Sequence, residues 1–252
     1  MPFIELDRVC VTIPIYNARG RALKSEIFRR AVGANFADEK DPSFVAVRAI
    51  DDVTLRIGHG DRVAIIGRNG SGKTTLLRVM SRIYPPTSGR AQIVGHLSSL
   101  TDLSVGMDPE STGYENIVLR GLILGLNRRQ ATALIPDVEE FSELGEYLAL
   151  PIRTYSTGMF LRLAFAVTTA VKPDIIILDE MISAGDAAFI EKAQRRIEGL
   201  IEDASIMVLA SHDESLVRRM CSTAVWMHAG RMAAKGDVNE VLNSYKASSV
   251  QN

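Results

Sequence analysis

Residues 67–74 read GRNGSGKT, and Thr75 follows. The spacing is G-x-x-x-x-G-K-[ST] in full, set between the apolar run RVAII and the helical run TTLLRVM. Glycines at 67, 70 and 72 let successive backbone N–H groups turn inward as an anion nest. A helix beginning at the same place adds the positive end of its dipole. The chemistry is phosphate binding. Lys73 reaches the outer phosphates and the Thr74 hydroxyl is placed for Mg²⁺. Arg68, Asn69, Ser71 and Thr75 complete the loop.

A second group of reactive side chains ends the apolar run IIILDE. Asp179 and Glu180 stand where a buried strand emerges at its carboxyl edge, the ligand side of an α/β sheet. Asp179 is a Mg²⁺ ligand, direct or through water, and Glu180 is a general base for an attacking water. The next apolar run ends ASHD, so His212 leaves the neighbouring strand and can sense or stabilise transferred charge. Between these lies TYSTGM at 154–159, a hydroxyl-rich helix start ahead of FLRLAFAVTTAV. Taken alone it is a helix cap.

These residues need elements to hold them. The pattern reads as a first strand at 3–13, a loop-rich stretch at 16–43, and strand character over 44–57 with a kink at Asp51–Asp52. RVAII, then the phosphate loop, then a helix follow. A strand pair is expected around Gly95, and helical periodicity from 111 to 150 with loops near Gly125 and Pro136. After TYSTGM come alternating strands and helices and a hairpin turning at Ala229–Gly230. The fold class is α/β, with a β-rich edge and a helical insert at about 110–160. The polar end, 246–252, reads as a frayed tail.

The bulk properties narrow the partners. The chain has 252 residues, 46% hydrophobic and 23% charged, with a net charge of −1, so nothing at the level of the whole chain argues for nucleic acid as a partner. Cys10 and Cys221 read as thiols of a reducing compartment. The N-terminus shows no signal-peptide pattern. No apolar run reaches the roughly 18 residues a membrane helix needs, so any work at a membrane is done from its side. The basic run Arg19, Arg21, Lys24, Arg29 and Arg30, against Glu26, is a solvated loop or a face for anionic lipid headgroups or a glycan-pyrophosphate lipid.

GRNGSGKT, YSTGM, IIILDE and ASHD stand in that order. Together they resemble the nucleotide-binding domain of ABC transporters, over about residues 3–240. The resemblance implies a P-loop NTPase core with an antiparallel edge subdomain and an inserted helical signature subdomain, as a single ABC ATPase domain over 1–245. It implies ATP and Mg²⁺. YSTGM stands for the family's signature motif, so Ser156, Thr157 and Gly158 would contact the nucleotide of a second copy in a head-to-tail homodimer. SAGD stands for the D-loop, with Asp186, and His212 for the switch histidine. The family's loop glutamine is absent, and Asp102 is the candidate in its place as a metal contact. Tyr16 is the candidate for stacking on adenine, with Phe44 as the alternative.

TGYENI (112–117), GDAAF (185–189) and IPIYNARGRALK (13–24) resemble the polysaccharide-export branch, the ATPases for O-antigen, capsule and teichoic acid. That implies ATP hydrolysis driving glycan export through a separate membrane-spanning permease, at the cytoplasmic face of the inner membrane, with the glycan met indirectly and no nucleic-acid partner. Other readings are an importer ATPase and a soluble ABC clamp. A chromosome-type clamp needs a long coiled coil between Lys73 and Ser156, and no heptad run lies there. Ribosome-acting members carry two such domains, and this chain shows one. It also ends too soon for the C-terminal glycan-binding domain that some exporters add.

Overall fold

A computed structural model describes residues 1–15, 35–36, 45–179 and 187–250. Tyr16, Phe44, the basic run at 19–30, Glu180 and Asp186 lie outside the described residues. The described chain divides into two units, Met1–Val94 with Ile206–Asn252, and Gly95–Ser205.

The first unit holds two sheets. In the antiparallel one the order is β2 (Asn35–Phe36), β3 (Val45–Ile57), β1 (Phe3–Ile15), β5 (Ser88–Val94). Strands β1 and β3 pair along their whole length, from Ile4↔Ile57 to Ile15↔Val45. The expected break at Asp51–Asp52 takes the form of register shifts near Val9 and Val11, with Asp52 at φ 57°. The second sheet orders β10 (Arg231–Asp237), β9 (Thr223–His228), β4 (Arg62–Ile66), β8 (Ile206–Ala210). Strand β4 lies parallel to β8 and to β9. Its residues 63–66 are buried, as are all of β8, because parallel strands are covered on both faces. The helix after β4 is α1 (Lys73–Met80), which buries Leu76, Leu77, Val79 and Met80.

In the second unit β6 (Leu97–Ser99) lies parallel to β7 (Ile175–Asp179). The pair expected around Gly95 therefore does not form. Strand β5 pairs with β1 and β6 with β7, because the positive φ of 124° at Gly95 breaks the run. The helices are α2 (Gly113–Ile123), α3 (Arg128–Thr132), α4 (Ile135–Ser142), α5 (Thr157–Thr169) and α6 (Ala187–Asp203). Helix α2 starts with a full capping box, Thr112 with Glu115, and α3 with another, Asn127 with Gln130. Pro136, expected in a loop, occupies the first turn of α4, where a missing N–H removes nothing from the helix. Three phenylalanines join three helices. Phe141 of α4, Phe165 of α5 and Phe189 of α6 have ring centroids 5.7, 5.8 and 5.9 Å apart, in stacked and edge-on pairs.

The first unit ends with α7 (Glu214–Met220) and α8 (Val238–Val250). Helix α8 runs to Val250, where a frayed tail is expected from 246 onward. Lys246 pairs with Glu214 at 2.8 Å and the Tyr245 ring lies edge-on to Trp226 at 5.7 Å. Both contacts come from residues far away in sequence, so local composition does not foretell them.

Burial pushes the Cys221 thiol up to about 12, against a smaller opposing pull from the Arg62 charge. Cys10 is half-buried. At about pH 8 a thiol reagent is expected to modify Cys10 in the native protein and Cys221 only after denaturation. Two fast thiols in the native protein would contradict this packing.

Candidate functional site: a phosphate loop and a helix cap

Strand β4 delivers the chain into the phosphate loop and α1 carries it away. Gly67 has φ 147°, and a Cβ there would stand 2.3 Å from the Met227 carbonyl oxygen and 2.7 Å from the Ser71 hydroxyl. Gly72 has φ 100°, and a Cβ there would stand 2.6 Å from the Ala49 carbonyl oxygen. Neither position admits a side chain, because the loop lies against β9 on one side and β3 on the other. Gly70 also takes positive φ, 79°.

The loop is built for an anion. No side chain caps α1 and its first turn carries no acid, so the N–H groups at its start keep their dipole uncompensated. The Lys73 ammonium donates to the Gly67 carbonyl at 2.8 Å and to the Arg68 carbonyl at 3.2 Å, folding back over the loop. The Ser71 hydroxyl is buried without a hydrogen-bond partner. A buried orphan hydroxyl is costly unless a ligand or water meets it. Arg68, Asn69 and Thr74 are exposed, and Thr75 is half-buried.

His212 belongs to the same unit. It follows β8 by one residue past Ala210–Ser211, and β8 lies beside β4 with Ile65 opposite Ala210. The phosphate loop and His212 therefore leave adjacent parallel strands at the same carboxyl edge. His212 is exposed.

The second unit arranges the carboxylates. Ser99 lies opposite Ile177, and the Leu100 N–H donates to the Ile177 carbonyl at 2.9 Å. The two strands end side by side, so Asp179 and the segment holding Asp102 leave one edge together. The Asp102 carboxylate accepts the Ser104 hydroxyl at 2.7 Å. The oxygen donors Thr74 and Asp179 are of the hard kind that Mg²⁺ takes.

The signature stretch is also in this unit. Ser156 is the N-cap of α5, and its hydroxyl accepts from the Met159 N–H at 3.2 Å. The expectation of a capped helix start holds in detail. Ser156, Thr157 and Gly158 are all exposed. Among the described residues, a Cβ on Gly158 would meet nothing nearer than the Ser156 hydroxyl at 4.0 Å. This glycine is thus not demanded by its own fold.

The support behind the cap escapes sequence reading. Asn116 of α2 is fully buried and donates to the carbonyls of Asp108, Ser111 and Thr112 at 3.0, 3.1 and 2.9 Å. It also accepts from the Asp108 N–H at 2.7 Å. The segment it holds is stitched to the residues before the cap. Ile152 donates to the Ser111 carbonyl at 3.1 Å, and Arg153 to the Pro109 carbonyl at 3.0 Å. The Tyr155 hydroxyl donates to the Tyr147 carbonyl at 2.7 Å. Burial raises the Tyr155 pKa, with a smaller push from Tyr114, so the phenol stays a donor through neutral pH. The signal for Asn116 was its place in TGYENI, but its bonds reach residues no periodicity connects.

The ABC transporter family profile matches residues 50–183. The O-antigen export system ATP-binding protein RfbE of Yersinia enterocolitica is 44% identical over 88% of this chain and 92% of its own. The chain belongs to the ABC transporter family. The teichoic acids export ATP-binding protein TagH of Listeria innocua is 39% identical over 82% of this chain and 61% of its own. Among solved structures, a dimeric ATP-binding cassette in a post-hydrolysis state with ADP and Pi covers 93% of this chain and 98% of its own, with a TM-score of 0.64 at 20% identity. That last likeness shows the fold, an ABC ATPase cassette with an antiparallel sheet and a helical subdomain.

The open space at Gly158 generates a test. Gly158→Ala is expected to leave the fold intact or steadier by about 0.5–1 kcal/mol, since alanine is the better helix residue. Gly158→Asp is expected to bind nucleotide as a monomer and to lose turnover. Thermal melts and nucleotide titration of both variants check this; lost monomer binding in Gly158→Asp would show that the signature serves its own chain's nucleotide.

Proposed function

We propose that this chain is the ATP-hydrolysing subunit of an exporter that moves a cell-surface polysaccharide across the cytoplasmic membrane. The glycan is of the O-antigen or capsular kind, carried on a lipid. The observation that carries the reading is the near full-length relationship to an O-antigen export ATP-binding protein. The relationship to a teichoic acids export protein supports the same substrate class. No helix among the described residues is long and apolar enough to cross a membrane. A separate membrane-spanning permease is therefore the proposed partner, and the chain works from the cytoplasmic face as a peripheral subunit.

The proposed mechanism follows from the residues. The backbone N–H groups of Gly67 to Thr75 and the start of α1 receive the phosphates. Lys73 leaves its loop carbonyls for the outer phosphate oxygens. Its ammonium holds either set with the same three donors, so binding replaces one set of bonds by another. Mg²⁺, held by Thr74 and Asp179, would neutralise phosphate charge, and Asp102 is the further candidate contact. Glu180 accepts a proton from the attacking water, and His212 steadies the charge on the transferred group. Asp186 acts in the same centre, and Tyr16 or Phe44 stacks on the adenine.

A second copy completes the site. Ser156, Thr157 and Gly158 of one protomer present a hydroxyl, N–H groups and a helix end to the nucleotide on its partner. The bare glycine permits close approach of a phosphate, which explains a glycine that its own fold does not need. The stitched segment behind the cap holds those groups in place, so little entropy is lost when the copies close. ATP then favours the closed pair through its differential affinity, and hydrolysis removes that preference.

Replacing Glu180 by Gln in the living cell is the direct test. Polymer is expected to accumulate in the cytoplasm while nucleotide binding persists. A strain with normal surface glycan and no internal accumulation would set aside polysaccharide export, leaving a different ABC transporter class as the reading.

A further inference from the structure

The floor beneath the phosphate loop comes from the β9–β10 hairpin and from β3. The hairpin turns at Ala229 and Gly230, with φ 47° and 81°. The Gly230 N–H donates to the Ser71 carbonyl at 3.0 Å. Met227, three residues earlier, supplies the carbonyl that leaves no room for a side chain at Gly67. Gly72 is pressed on Ala49 of β3, and the position of its Cβ is 3.5 Å from the Gly230 Cα. Three points of the loop therefore rest on two elements distant in sequence.

One residue ties those two elements together. The Asp51 N–H donates to the Gly230 carbonyl at 2.9 Å. The Asp51 carboxylate accepts from Arg231, at 2.7 Å from Nε and 2.6 Å from Nη2, both on one oxygen. The other oxygen takes Arg48 Nη1 at 3.3 Å. Asp51 is buried, its side chain 7% exposed, while Arg231 is 66% exposed. A buried carboxylate is retained where charge-assisted bonds hold it, here from Arg231 of β10 and Arg48 of β3, while the Asp51 backbone N–H takes the adjacent Gly230 carbonyl. Sheet pairing alone does not explain an acid at this place, since Asp51 sits on β3 and Arg231 on β10 of a different sheet.

We propose that Asp51 and Arg231 are positioning residues for nucleotide binding, clamping the Gly230 turn to β3 so that the Ser71–Gly72 backbone stands at the depth the phosphates require. The inference rests on reading residues 67–75 as the nucleotide site. The clamp touches no phosphate itself. It acts through the Gly230–Ser71 hydrogen bond, so its loss weakens binding of ATP and ADP alike and leaves the chemical step at saturation.

The test uses the full chain, a fluorescent ATP analogue with Mg²⁺, and three variants. Arg231→Met is expected to raise the dissociation constant and the KM about fivefold to tenfold, with kcat within about twofold. Asp51→Asn keeps its own N–H bond to Gly230 and is expected to give a similar loss. The double variant is expected to be no worse than either single one, because both remove the same pair. Lys235→Met is the control. Lys235 also bridges β10 to β3, donating to the Arg56 carbonyl at 3.1 Å, but away from the loop, and its nucleotide affinity is expected to match the parent chain.

Unchanged affinity in Arg231→Met would overturn the clamp. So would an equal loss in Lys235→Met, which would mean that general sheet contact is what matters. If Arg231→Met does not fold, Arg231→Lys keeps the charge and loses one of the two nitrogen contacts, and its affinity is expected to lie between those of the parent and Asp51→Asn. A parent chain that binds no nucleotide at all would remove the reading of the site itself, an outcome distinct from a parent that binds and a variant that binds equally well.

Discussion

A phosphate loop must hold several backbone N–H groups away from any partner and facing one point. That arrangement is unfavourable by itself, since each unpaired buried polar group costs about 1–3 kcal/mol. It persists because the surrounding structure leaves the chain no other course. At Gly67 and Gly72 the loop is wedged between the Met227 and Ala49 carbonyls so closely that no Cβ fits. The Ser71 carbonyl is tied down by Gly230, while the Ser71 hydroxyl is left without a partner. Buried parallel strands β4 and β8 hold the edge from which the loop and His212 both depart.

The second unit solves the opposite problem. In the proposed function its signature face is exposed to a second copy, and that role also asks for stiffness. Ser156, Thr157 and Gly158 are exposed, and the stiffness comes from behind. Asn116 turns both its amide N–H groups and its carbonyl oxygen on the 108–112 segment. That segment is sewn to Ile152 and Arg153 just before the cap. A fully satisfied buried amide specifies one arrangement, whereas a partly satisfied one tolerates several. The aromatic contacts among Phe141, Phe165 and Phe189 anchor the body of α5.

Much of this was legible in the residues. GRNGSGKT declares its backbone, because glycine spacing and the lysine that follows are local properties of the chain. The buried strands β4, β7 and β8 read as apolar runs, and the Ala229–Gly230 turn as a hairpin signal. Ser156 as a helix cap was equally local. Two of the misreadings share an origin in partners distant along the chain. Strands β5 and β6 adjoin in sequence but take different partners, and α8 persists to Val250 through contacts with Glu214 and Trp226. Pro136 went into a helix because a first turn needs no N–H from it.

The sequence by itself determined the motifs from which the proposed chemistry is read, and the order in which they come. Those depend on residue type and short spacing, which the chain carries locally. Only the tertiary structure decided what holds the groups at their posts. Asp51 reaches Arg231 across a separation of 180 residues, and nothing in the residues flanking either one signals the other. Gly158 was a glycine in a motif until the space around it showed that no described residue of its own chain requires one. Pairings of that kind depend on sheet register and close packing, and those exist only once the chain has folded.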